Sequence, residues 1–300
     1  TICYVNRKKE QLPGDCECFV LQEEKEIRYL KKETVIRQPV EWEYCRYREA
    51  QRYMRSMAGL PALSGSRGGI PSQVSFLDLY DCDKVEDLGC QSRWRENRTG
   101  ERMRVPIGYG EGGKKICLDI HEKFHGPHGL VAGTTGAGKS ELLQTYLLSL
   151  SVSFCPEDVS FFIIDYKGGG MGDVLADLPH CSGIISNLSG RQIKRALLSI
   201  KSENLRRQSL LSRNKVSHIE EYKELYQAGE VSEPMPHLLL VVDEFAELKK
   251  EEPEFMQEII SVSQVGRSLG VHLILATQKP AGCVDDKIWS NTRFRLCLRV

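Results

Sequence analysis

"HGLVAGTTGAGKSELLQTYLLSL", residues 128–150, carries three signals in a row. "HGLVA" is a short apolar run, as a buried strand has. "GTTGAGKS" matches G-x-x-x-x-G-K-[ST], and "SELLQTYLLSL" reads as the helix it opens. Strand, glycine-rich loop and helix in that order are the context in which this motif wraps phosphate. The glycines let backbone N–H groups turn inward, and the helix N-terminus adds its positive dipole end. Gly133, Thr134, Thr135, Gly136, Ala137, Gly138, Lys139 and Ser140 are therefore the candidate ATP cradle. Lys139 reaches the β- and γ-phosphates in this reading, and the Ser140 hydroxyl ligates Mg2+.

Two later strands add acids and an amide. "HLLLVVDE" (237–244) buries its apolar residues and ends in Asp243 and Glu244. The C-terminal ends of strands are where open α/β sheets bind ligands. Asp243 suits the holding of Mg2+ through water, and Glu244 suits the polarising of an attacking water. "LILATQKP" (273–280) offers Thr277 or Gln278 to sense the γ-phosphate or orient that water. "FFIIDYKGGGMGD" (161–173) ends a further strand, placing Asp165 and Lys167 near the nucleotide edge and Gly168 to Gly170 in the exit loop. Ring ATPases often need an arginine from a neighbour. Arg293 is ranked first because it follows the catalytic strands, with Arg267, Arg206 and Arg207 behind it.

Outward from these motifs, four apolar runs read as buried parallel strands: "HGLVAG", "VSFFIIDY", "HLLLVVDE" and "GVHLILATQ". Helical stretches separate them, which predicts an α/β fold with a mostly parallel central sheet covered on both faces. "MRVPIGYGEGGKKICLDI" (103–120) reads as a hairpin turning at Gly110 to Gly113, and "VSFLDLYDC" (74–82) as a short apolar element. The first 60 or so residues differ. "CECFVLQEEKEIRYLKKETVIR" (16–37) has the look of short strands, "LPGD" of a turn, and "PVEWEYCRYREAQRYMRSM" of a helix starting near Pro39. "SGSRGG" (64–69) reads as a linker. The expected division is a small α+β segment over 1–60 and a P-loop domain over 61–300.

Composition sets limits. The 300 residues carry 41 basic and 41 acidic side chains, so no global charge draws the chain to nucleic acid, although a local basic patch is compatible with this balance. The 11 cysteines show no CxxC pair and no zinc-ligand spacing, as expected for reduced thiols. No apolar run approaches the ~20 residues of a membrane helix. The start lacks Met and a signal-peptide core, and "FRLCLRV" reads as a strand cut at its end, so the chain is expected to be part of something longer.

The succession of P-loop, "DYKGGG", "VVDEFAEL" and "GRSLGVHLILATQKP" resembles the FtsK/SpoIIIE family of ring ATPases. "LPHCSGIISNLSG", "ALLSIKSENLRRQSLLSRNKVSHIEEYKELYQAGE" and "DDKIWSNTRFRLCLRV" are similar to its EssC/EccC branch, the membrane-anchored ATPases of type VII secretion. In the DNA-pumping relatives the strand matching "FFIIDYK" typically ends in Asp-Pro-Lys, so Asp-Tyr-Lys-Gly-Gly-Gly sides with secretion. The resemblance implies a RecA-like fold, ATP and Mg2+ as ligands, and hydrolysis between subunits of a hexamer at the cytoplasmic side of the membrane. It implies export of small helical proteins with a Trp-X-Gly turn, together with other secretion-system membrane components, and no direct DNA binding. It makes residues 1–60 a membrane-proximal segment and the remainder a first ATPase module. A DNA translocase of the same fold and a nucleotide-gated scaffold that barely turns over are the rival readings.

Overall fold

The structure is a computed structural model that describes residues 18–23, 26–31, 34–39 and 73–299, except 167, 169, 187–189, 279–283 and 285. It separates into two compact units, Thr1–Gly69 and Ile70–Val300. In the first, β1 (Cys18–Glu23), β2 (Glu26–Lys31) and β3 (Thr34–Pro39) form an antiparallel meander in the order β1-β2-β3. Cys18 pairs with Lys31 and Lys31 with Thr34. The turn at "LPGD", the expected helix beyond Pro39 and the "SGSRGG" linker lie outside the described residues.

The second unit is built on six parallel strands. These are β6 (Gly129–Ala132), β7 (Val159–Asp165), β8 (Cys181–Ser186), β9 (His237–Asp243), β10 (Val271–Thr277) and β11 (Phe294–Cys297). Their order across the sheet is β11-β6-β10-β9-β7-β8. The four expected parallel strands are its centre, and β8 and β11 are its edges. The expected hairpin is also present, as β4 (Arg104–Tyr109) and β5 (Lys115–Asp119), with an irregularity between Pro106 and Gly108.

The central strands are largely apolar because both faces are buried, with polar residues concentrated toward their ends. Successive side chains alternate between two cores. Ile164, Leu240, Val242, Leu273 and Leu275 enter one core, with Ile200, Tyr222, Phe245, Leu248 and Ile259 from the helices on that side. Phe161, Ile163, Leu239, Val241, Ile274 and Ala276 enter the other. There they meet α2 (Lys139–Ser153), which follows the short α1 (Cys90–Glu96) in the chain. Leu143, Tyr146, Leu147 and Leu150 are the buried stripe of α2, spaced i, i+3, i+4, i+7 as one helix face requires.

The far end of α2 is closed by side chains from the preceding segment. Tyr80 donates to the Ser149 carbonyl (3.1 Å), Trp94 Nε1 to the Ser151 carbonyl (2.9 Å) and Asn97 Nδ2 to the Ser153 carbonyl (2.7 Å). The last four carbonyls of a helix lack internal partners, and Trp94 and Asn97 satisfy two of them, at Ser151 and Ser153, while Tyr80 adds a second donor to the Ser149 carbonyl. "VSFLDLYDC" thus contributes a 3-10 turn, Leu77–Tyr80, whose Tyr80 packs against Val152.

Candidate nucleotide-binding site

The loop from Gly133 to Gly138 joins the end of β6 to the start of α2. Gly136 and Gly138 have φ of 77° and 89°, the left-handed region that favours glycine. A Cβ at either position would meet nothing within 4 Å, so the backbone angle rather than crowding demands glycine. Gly138 is the N-cap of α2, and no side chain caps the first turn. The first N–H groups of a helix have no intrahelical acceptor. A glycine-rich loop leading into such a helix start is the arrangement that takes a phosphate.

Lys139 opens α2 and is only 6% exposed. Its ammonium pairs with Asp243 Oδ1 and lies 3.8 Å from Glu244 Oε2. Asp243 stands at the end of β9, and its Oδ1 also accepts from the Glu244 N–H at 2.9 Å. Glu244 adopts φ 55°, ψ 44°, a left-handed conformation unusual for a residue with a Cβ. Such strain costs about 1–3 kcal/mol and clusters at functional sites. That backbone turn leaves the buried carboxylate with Oε1 3.2 Å from the Gln278 N–H and 3.4 Å from Thr277 Oγ1. Gln278 Oε1 in turn accepts from Thr135 Oγ1 at 2.9 Å.

Strand register explains the convergence. Thr277 pairs with Ala132, the last strand residue before the loop, and Leu275 with Val242. Asp165 pairs with Asp243 and is buried. Lys139, Asp243, Glu244, Thr277 and Gln278 therefore share the C-terminal edge of one parallel sheet, with Asp165 one strand further on. Gly168 and Gly170 follow with φ of 67° and 77°, while Lys167 and Gly169 lie outside the described residues.

The arginines are elsewhere. Phe294 pairs with Gly129, so Arg293 leaves the N-terminal edge of the sheet, opposite the loop, where it donates to the Glu122 carbonyl at 2.8 Å. Four strand residues put about 13 Å between the two edges. Arg267 pairs with Glu122, and Arg206 with Glu203 and Glu233. Arg207 is buried, bonding Glu203 and the Leu269 carbonyl. Sequence reasoning missed Arg299. Its carbonyl accepts from both the N–H (3.0 Å) and the hydroxyl (2.8 Å) of Thr134, which seats this exposed residue beside the loop. No local pattern marks it, because only the long-range pairing of β11 with β6 brings it there.

The donor set fits a magnesium nucleotide. The Ser140 hydroxyl and Asp243 carboxylate are hard oxygen donors, suited to a cation that binds one or two carboxylates plus substrate phosphates. The uncapped helix start supplies N–H groups, and Lys139 supplies the charge. Fold and site together define a P-loop ATPase domain.

The comparisons with known proteins agree. The model of the FtsK/SpoIIIE family matches residues 90–282, and the chain belongs to that family. It is 51% identical over 246 residues to the type VII secretion system protein EssC of Staphylococcus aureus (strain Mu50 / ATCC 700699), covering 82% of this chain and 17% of that protein. It is 48% identical over 273 residues to the ESX secretion system protein YukB of Bacillus subtilis (strain 168), covering 90% of this chain and 18% of that one. The chain thus spans under a fifth of the length of these relatives. The solved cytoplasmic domain of the type VII secretion ATPase EccC of Thermomonospora curvata superposes with a TM-score of 0.68 at 34% identity, over 74% of this chain and 26% of that one. Among the described residues no helix is long and apolar enough to cross a membrane.

Proposed function

We propose that this chain is a motor module of a type VII protein secretion system, binding Mg-ATP and using its hydrolysis in the export of small helical proteins. The observation that carries the reading is the meeting of Lys139, Asp243 and Glu244 beneath an uncapped, glycine-rich helix start. Gly133 to Ser140 hold the phosphates through backbone N–H groups and the Lys139 ammonium. The Ser140 hydroxyl and Asp243 hold Mg2+, which when bound neutralises developing charge on the phosphates. Glu244 accepts a proton from the attacking water, and Gln278 contacts the γ-phosphate. Arg293 faces away from its own site, so its route to a nucleotide runs through a neighbouring subunit of a ring, which we take to be a hexamer. Residues 1–60 are assigned as a membrane-proximal segment and 61–300 as the ATPase domain, working at the cytoplasmic side of the membrane with other secretion-system components.

The balance of 41 basic and 41 acidic residues supports protein rather than DNA as cargo. The full-length protein, assayed for ATP hydrolysis, is expected to respond to a helical substrate carrying a Trp-X-Gly turn and to ignore double-stranded DNA. Stimulation by DNA with a steep salt dependence, and none by the helical protein, would overturn the cargo assignment.

A further inference from the structure

We propose that Thr135 is a positioning residue that holds the Gln278 side chain for recognition of the γ-phosphate, so that its hydroxyl sets the preference for ATP over ADP. The inference rests on the reading of the loop as a nucleotide site. It goes beyond that reading because the motif asks nothing of the side chain at this position, only of its backbone.

Three bonds tie the loop to the end of β10 and to the catalytic acid. The Gly133 N–H donates to the Thr277 carbonyl at 3.1 Å. The Thr135 hydroxyl donates to Gln278 Oε1 at 2.9 Å. The Gln278 N–H donates to Glu244 Oε1 at 3.2 Å. The backbone of Gln278 is thereby fixed to the acid, and its side chain to the phosphate loop. A free glutamine side chain loses rotamer entropy when it is fixed. Thr135 fixes it beforehand. With Oε1 engaged by the hydroxyl, the Nε2 group keeps two N–H donors. Donors suit a γ-phosphate oxygen, whereas an amide turned over would present its oxygen to an anion. ADP has no γ-phosphate, so the device acts on ATP alone. Valine matches threonine in shape and lacks the hydroxyl; serine keeps it.

The test is calorimetry on the full-length protein with Mg-ADP and with a non-hydrolysable ATP analogue carrying an imido bridge. Thr135→Val is expected to weaken the analogue about 2- to 10-fold, the range of one neutral hydrogen bond. ADP affinity stays within about 2-fold of the wild type, and Thr135→Ser restores the preference. Gln278→Ala alone reproduces the loss, and Thr135→Val adds nothing further in that background, as two residues acting through one bond require. Equal weakening of both nucleotides, a valine effect that persists without Gln278, or no change at all would each overturn the proposal. If the wild type bound neither nucleotide, the site itself would be refuted, a different failure from the loss of discrimination alone.

Discussion

Acidification tests the buried polar end of the sheet. His237 opens β9 and His272 lies in β10, both buried. His272 Nδ1 bonds the Pro127 carbonyl (3.0 Å), which only accepts, so that nitrogen carries a proton. His272 Nε2 then accepts from His237 Nδ1 at 2.9 Å. Burial holds His237 at about 4 instead of the ordinary 6.5, although Glu220 Oε1, 3.4 Å from its Nε2, pulls the other way. Burial, then the neighbouring His237 and His128, keep His272 well below its usual range. The unfolded chain therefore takes up a proton from pH 6.5 downward while the folded chain refuses it until near pH 4. Stability is full above pH 6.5 and falls as pH drops toward 4. From pH 7 to pH 5, His237 alone removes about 2 kcal/mol. Urea unfolding of the domain at both pH values, read as midpoint times slope, should show at least that loss. His237→Asn, which keeps a donor toward His272, should flatten the profile by a similar amount. A profile that rises on acidification, or a variant with the wild-type slope, would exclude the buried histidines as the source of the acid sensitivity.

Other outcomes follow from the site and the core. Lys139→Ala should weaken ATP binding about 100-fold or more, because charge-assisted contacts to phosphate are worth about 1.5–3 kcal/mol each; calorimetry showing unaltered affinity would contradict it. Removing Mg2+ with a chelator should lower ATP affinity in the wild type, and Ser140→Ala should shrink that difference, measured by titration with and without the metal. Leu240→Ala, at a fully buried position of the central strand β9, should cost about 2–5 kcal/mol in chemical denaturation without altering the ratio of ATP to ADP affinity.

Much of this architecture was legible in the sequence because its signals are local. Apolar runs such as "HLLLVVDE" are unambiguous when flanked by helices, and the loop motif needs only the strand before it and the helix after it. One edge was harder, while the other, β11, shows in "FRLCLRV". β8, "CSGIIS", is only half-buried and carries Gly183 in its middle, so it lacks the continuous apolar run of the inner strands. The arginines show a second limit. Arg293 and Arg299 stand six positions apart, one on either side of β11. Only parallel pairing with β6 sends Arg299 to the phosphate loop and Arg293 to the other edge. Chain order does not contain that information. The bond from Thr135 to Gln278 spans 143 positions, and likewise appears only once β6 and β10 lie side by side.

The strained, buried Glu244 is the base of the proposed hydrolysis, and its conversion to glutamine tests that role directly. Glu244→Gln keeps the size and the acceptor for the Gln278 N–H but removes the base. In the full-length protein it should bind ATP as the wild type does, while turnover falls about 10²- to 10⁴-fold, the usual contribution of a general base. Wild-type turnover in that variant would show that Glu244 is not the base.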